Sequence, residues 1–221
     1  MGLTIGYTLS GRQQLTLSRV RRLVSELRKQ AVALDFEHVG RLFQPRPEHA
    51  NIYWKPPGAR RFSDLVWASE GWIFRATPGD GSESVMMGLC RFAGRGGWWL
   101  ESFCKTQYAS RHGWDHFLKC HCAVIRLLEA AQHFGLNVKV EDEGGLWETG
   151  SFAVLRRNLA EYDQSIAAVG GALKDAAASA GQAMQAPVFD HPQFEHLEAR
   201  GLAAHGRKVG QVVEVVKQLV R

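Results

Sequence analysis

The chain has 221 residues, of which 45% are hydrophobic and 22% charged. That suffices to bury one sizeable core, and it excludes a disordered, collagenous or low-complexity polymer. Lys and Arg number 27 against 22 Asp and Glu, a formal charge of +5, and no run reaches the ~18 consecutive apolar residues of a membrane span, so no membrane partner is expected.

Leu3 to Leu9 alternates apolar with small or polar residues and predicts a short edge strand. Leu17, Val20, Val24, Leu27, Ala31 and Leu34 then recur at steps of three and four, which predicts an amphipathic helix capped by Thr16 or Ser18. The positive charge concentrates there. Arg12, Arg19, Arg21, Arg22, Arg28 and Lys29 oppose only Glu26 before residue 35. Arg21, Arg22 and Arg28 on the basic helix 16–34 are therefore candidate phosphate contacts, set against the plainer reading of a solvated helix face.

Gln44 to Pro57 holds four prolines and must be irregular or extended. A three-strand meander is expected next: Gly71–Thr77, Ser84–Phe92 and Trp98–Tyr108, joined by the Pro78–Gly81 turn and an Ala93–Gly97 loop. Pairing Phe92 with Trp98 sets Met87 opposite Phe103 and Cys90 opposite Leu100. Both faces of that hairpin then carry large apolar groups, which predicts a central hairpin covered at least partly on each side. Trp114–Phe134 reads as a helix and Asn137–Val140 as a strand. Phe152, Leu155, Leu159, Tyr162, Ile166, Val169, Leu173 and Ala176 form a long helical stripe that Gly170-Gly171 weakens late. Val209, Val212, Val213, Val216 and Leu219 form a last helix to pack on it.

The fold class implied is α+β: a mostly antiparallel sheet of about five strands packed by helices, with a C-terminal helical hairpin. Residues 1–148 are expected as the α+β domain and 149–221 as a helical extension packed on it.

Chemistry is harder to find. GxSxG, HExxH, the phosphate-binding P-loop and a helix-opening GxGxxG are all absent. Cys90, Cys104, Cys120 and Cys122 contain no CxxC pair, and Met1–Gln14 lacks a signal-peptide pattern, so reduced thiols in the cytoplasm are expected. His116 and Cys120, four apart on a helix, are candidate zinc ligands short of a third. His121 falls in the apolar stripe and reads as a buried, hydrogen-bonded core histidine. Lys105, Gln107 and Tyr108, at the exit of a central strand, are candidate site residues. The run Val140–Glu148 offers Glu141, Asp142, Glu143 and Glu148, with Trp147 beside them. Glu141 and Glu143 point to one side of an extended chain and Asp142 to the other.

Three functions compete. The leading one is a non-enzymatic binding or interaction protein that docks a protein partner on the C-terminal helical hairpin, with Tyr108 and Trp147 as further binding candidates. A small metal-dependent enzyme for a phosphorylated or nucleotide substrate would use Lys105, Gln107, His121 and Glu143, and those residues would have to meet in one pocket. Nucleic-acid binding would use the basic helix. No cofactor is implied, and the C-terminal helices offer a surface for a homo-oligomer.

Overall fold

Alternation along the first strand sorts the two faces of a sheet. Leu3, Ile5, Tyr7 and Leu9 are buried, while Thr4, Gly6, Thr8 and Ser10 stay partly open. The computed structural model describes residues 3–46, 52–179 and 181–219. In chain order the elements are β1 (Thr4–Gly11), α1 (Leu17–Ala33), β2 (His38–Val39), β3 (Tyr53–Trp54), β4 (Val66–Thr77), β5 (Val85–Phe92), β6 (Arg95–Lys105), α2 (Trp114–His133), β7 (Asn137–Asp142), α3 (Leu146–Thr149), α4 (Phe152–Ser179) and α5 (Phe194–Leu219). Short 3-10 turns cover Phe62–Asp64, Gln107–His112 and Pro187–Asp190. The protein is α+β, with five long strands and two of only two residues.

The sheet order is β2-β4-β5-β6-β1-β7, with β3 also on β4, and every pairing is antiparallel. Strand β1 is therefore interior, not the expected edge. It pairs with β6 from Thr4↔Lys105 to Gly11↔Trp98 and with β7 from Ile5↔Asp142 to Ser10↔Asn137. Its polar alternate residues mark an uncovered face, not an uncovered edge.

Two further expectations need correction. The β5–β6 turn is tighter than the glycine count suggested. Gly94 takes a positive φ of 77°, Phe92 pairs with Arg95, and an irregularity follows before Cys90↔Trp99. Cys90 thus faces Trp99, not Leu100. Strand β6 also ends at Lys105, because Thr106 has already left extended geometry with ψ −9°. Gln107 and Tyr108 lie in the 3-10 turn that follows, and Gln107 does not share the face of Phe103.

Helices α1 and α2 cover the face that carries Ile5, Tyr7 and Leu9. Val20, Val24, Leu27 and Ala31 of α1 are buried, and Thr16 caps the helix by accepting from the Arg19 amide at 3.3 Å. Phe117, His121, Val124, Leu128 and Ala131 of α2 are buried on the expected stripe. The opposite face is covered only in part. There Ile73 and Cys90 are buried, and Trp54 and Trp99 share the Arg95 guanidinium at 5.2 and 3.9 Å.

Helix α4 continues through Gly170-Gly171 to Ser179. The glycines serve packing: a side chain at Gly171 would run into the Glu198 carboxylate, and one at Gly201 of α5 into the Gln164 carbonyl. Leu155 and Leu159 dock the first half of α4 on the main core, and its second half carries α5 through Ala167, Val188 and Leu197. Helix α5 therefore starts well before Val209, which is buried. Val212 is exposed, and the side chains of Val213, Val216 and Leu219 lie outside the described residues. Pro47 of the proline-rich segment lies outside them too. Among the described residues, no helix is long and apolar enough to cross a membrane.

Candidate functional site

The face of the sheet away from the helices forms a hollow of about 820 Å³. Strand register lays out its floor. One row runs Glu141, Gly6, Phe103, and on β5 and β4 come Met86 and Arg75. The next row brings Lys139, Thr8 and Glu101 together. Tyr53 and Lys55, just past β3, form one wall. Phe103 is 53% exposed in mid-sheet. Beside it Gly6 supplies no side chain, and a Cβ there would approach only the Glu141 carbonyl oxygen, at 3.7 Å. One flank of the Phe103 ring thus faces a gap. The charges balance: Lys55, Arg75 and Lys139 against Glu83, Glu101 and Glu141.

The floor has a seam. The paired register of β5 with β6 is confined to Cys90↔Trp99 and Phe92↔Arg95. Farther along, the Tyr7 hydroxyl donates to the Met86 carbonyl at 2.6 Å and accepts from the Met86 amide at 3.0 Å. A side chain from β1 therefore satisfies main-chain groups of β5 across the intervening β6. Burial pushes the Tyr7 phenol above its ordinary value, so the hydroxyl keeps its proton.

At the end of the sheet where β1 begins lies a second polar cluster, sealed under α2 and α4. His121 Nδ1 is 2.9 Å from Thr106 Oγ1, and Nε2 is 3.2 Å from Asp142 Oδ2. Asp142 also accepts from the amides of Gly144, Leu146 and Trp147 at 2.8 to 3.1 Å. Burial opposes its charge, but the His121 contact and these amides prevail and hold its pKa below the ordinary carboxylate value. Gln107 extends the cluster. Its Oε1 accepts from the Leu3 amide at 2.9 Å and its Nε2 donates to Asp163 Oδ1 of α4 at 2.9 Å. Thr106, His121 and Asp142 resemble a catalytic triad in composition, but the His121 and Asp142 side chains are 0% exposed and Thr106 is equally buried. A substrate has no approach to that hydroxyl, and the arrangement ties β6, α2 and β7 together.

The residues singled out by sequence fall in several places. His121 and Gln107 share the buried cluster. Lys105 lies on the open face, 3.8 Å from Glu83. Glu143 is exposed and accepts from the Thr4 amide at 2.8 Å. The four do not converge on one solvent-reaching site. Of the acidic run, Glu141 faces the hollow and Asp142 turns inward. Trp147 is half-buried and donates its amide to Asp142, while Tyr108 is half-buried beside the α4–α5 junction. His116 and Cys120 do meet, Nε2 to Sγ 3.6 Å, and His116 also contacts the Asp80 carbonyl at 2.9 Å. Among the described residues no three His, Cys, Asp or Glu side chains are arranged to hold a metal ion. Burial raises the thiols: Cys90 is pushed up to about 12, and Cys104 and Cys120 also lie above the ordinary value, which leaves them poor nucleophiles.

The basic helix is partly committed to structure. Arg28 Nε donates to the Gly40 carbonyl at 2.7 Å, Arg21 lies 4.9 Å over Trp72, and Lys29 pairs with Glu26 at 2.9 Å. Arg22 is exposed. Sequence reading did not single out Arg75, Phe103, Lys139 and Glu101 as a group. Their signal was the alternation along β4, β6 and β7, which becomes a surface only once the strand order is known. Comparison of the chain with protein-family models, with curated proteins and with solved structures finds no match.

Proposed function

We propose that this is a non-enzymatic binding protein whose ligand face is the open side of the sheet. The observation that supports the reading is the hollow itself. Its floor spans five strands, it displays Phe103 and Tyr53, and it offers cations and carboxylates on rigid backbone. The groups best suited to covalent or acid–base chemistry lie elsewhere and are buried: His121, Cys90 and Cys104. The sheet fixes the backbone from which these side chains project, so recognition orders side chains but no loop.

A photo-crosslinking residue tests this. It is placed at Phe103 in one protein and at Val32 in another, since Val32 is exposed on α1. Both are irradiated in lysate of the expression host. Position 103 is expected to yield discrete adducts that position 32 does not. Equal labelling from the two positions overturns the proposal.

A further inference from the structure

The ligand face does not stop at the hollow. Tyr53 on its wall meets Trp67 edge-on at 5.7 Å, and Trp67 meets Phe62 in the same way at 5.7 Å. Phe62 is 72% exposed and Tyr53 is 41% exposed. The three rings form a path from the hollow out to Phe62, with exposed rings at both ends. Cations accompany it. Lys55 is exposed on the wall of the hollow beside Tyr53, Arg60 and Arg61 are exposed just before Phe62 in the chain, and Arg75 and Lys139 are exposed on the floor.

The nearby carboxylates are partly occupied. Asp64 turns back to accept from the Arg60 and Arg61 amides at 2.9 and 2.8 Å, so its carboxylate is taken up by the main chain. Glu83 is engaged with Lys105. Glu101 and Glu141 remain on the floor as acceptors.

We propose, resting on the ligand-face reading above, that this face binds single-stranded nucleic acid, with bases stacked on Phe62, Tyr53 and Phe103 and phosphates held by the cations between them. Ring faces suit unpaired bases, whose own faces are open, and not a duplex, whose bases are already stacked. The outer cations Lys55, Arg60 and Arg61 supply the phosphate contacts. The floor carboxylates Glu101 and Glu141 match the amino groups on base edges. Helix α1, the more basic element by sequence, plays no part, since it packs on the opposite face of the sheet.

The test is fluorescence anisotropy with labelled single strands of about 12 nucleotides, DNA and RNA, and a duplex of the same length. Single strands are expected to bind at least tenfold more tightly than the duplex. Three phosphate contacts predict a slope of log affinity against log salt of about −2 between about 50 and 200 mM. Phe62→Ala should weaken binding about tenfold. The triple variant Lys55→Gln, Arg60→Gln, Arg61→Gln should flatten the salt slope. Arg19→Gln with Arg22→Gln should change nothing. All these side chains are exposed, and unchanged thermal melts confirm that each variant is folded.

Absence of binding, equal affinity for duplex, indifference to Phe62→Ala, or loss through the α1 variant overturns the proposal. Phe62-dependent sedimentation with phosphatidylserine vesicles, without oligonucleotide binding, overturns it in favour of a membrane surface. If oligonucleotides fail while a crosslinker at 103 still captures discrete protein adducts, the ligand class is wrong and the ligand face stands. If both fail, the face is wrong too.

Discussion

Strand β1 separates two polar clusters of opposite character. At its start, Thr106, His121 and Asp142 are sealed from water, and each polar atom named there has a partner within 3.2 Å. On its open side, Thr8, Glu101, Lys139 and Glu141 line the hollow and reach solvent. The residue types overlap, since both clusters hold carboxylates and hydroxyls. Burial decides what they do. In the sealed cluster a lost partner leaves a desolvated group behind, so the cluster holds the fold together. On the open face water replaces any partner, so those residues are free to serve a ligand.

The largest predicted effect comes from breaking the sealed cluster. Asp142→Ala strips His121 and three amides of their acceptor, and about 3 to 5 kcal/mol of stability should be lost, read by urea unfolding. Its pH signature identifies the cause. The folded Asp142 carboxyl titrates below its unfolded value. Its stabilisation is therefore complete above the unfolded pKa of about 3.9 and disappears as pH falls through the folded value. Asp163 behaves in the opposite sense. Burial raises its pKa, so its ionised form costs stability at neutral pH and acid relieves that cost. Asp142→Asn should flatten the acid limb of the stability curve, and Asp163→Asn should steepen it. The same limb in both variants would remove the distinction.

Next in size is Tyr7→Phe. It removes one oxygen from between two buried main-chain groups of Met86 and should cost about 1 to 3 kcal/mol. The seam between β5 and β6 lies under the hollow, so this variant couples the two regions. Amide exchange at Met86 should accelerate while that of Cys90, on the paired side, does not. Unchanged exchange at Met86 would mean that water or β6 replaces the hydroxyl.

How much of this was legible in the sequence follows from the range of the interactions. Local signals were reliable: a cap for α1 at Thr16 or Ser18, of which Thr16 takes it, the α2 stripe through His121, and the alternation that sets Asp142 and Glu141 on opposite sides. The five long strands were legible as well. Strand order was not. No local pattern says that β7 returns to pair with β1, and without it Lys139, Thr8 and Glu101 are three unrelated polar residues. The shift of the β5–β6 register came from glycine chemistry. Five residues with three glycines looked like a loop, whereas Gly94 alone makes the turn and Gly96 and Gly97 enter the strand. His121 was read correctly as a core histidine. Its partners Thr106 and Asp142 stand 15 and 21 residues away and came together only through the sheet.

A variant in α5 separates the main core from the hairpin. Gly201→Ala places a methyl group against the Gln164 carbonyl and Ala168, so α5 must move off α4. Overpacking of this kind should cost about 1 to 3 kcal/mol, offset in part by the higher helix propensity of alanine. Limited proteolysis should show faster cleavage between 181 and 193 without faster cleavage in the sheet. Uniform acceleration would mean that hairpin and sheet open as one unit.

The smallest predicted effect on stability lies on the open face, and it carries the sharpest contrast with Asp142. Phe103→Ala removes a large side chain from the middle of a sheet, where loss of an aromatic group ordinarily costs several kcal/mol. Here the ring is 53% exposed and stands beside the Gly6 gap, so little packing is lost. A change within about 0.5 kcal/mol is expected, as for surface positions generally. The same substitution should weaken ligand binding about tenfold if a base stacks on that ring. A loss of several kcal/mol in unfolding would instead make Phe103 part of the core, and the open face would then be a second packing layer and not a surface kept for a ligand.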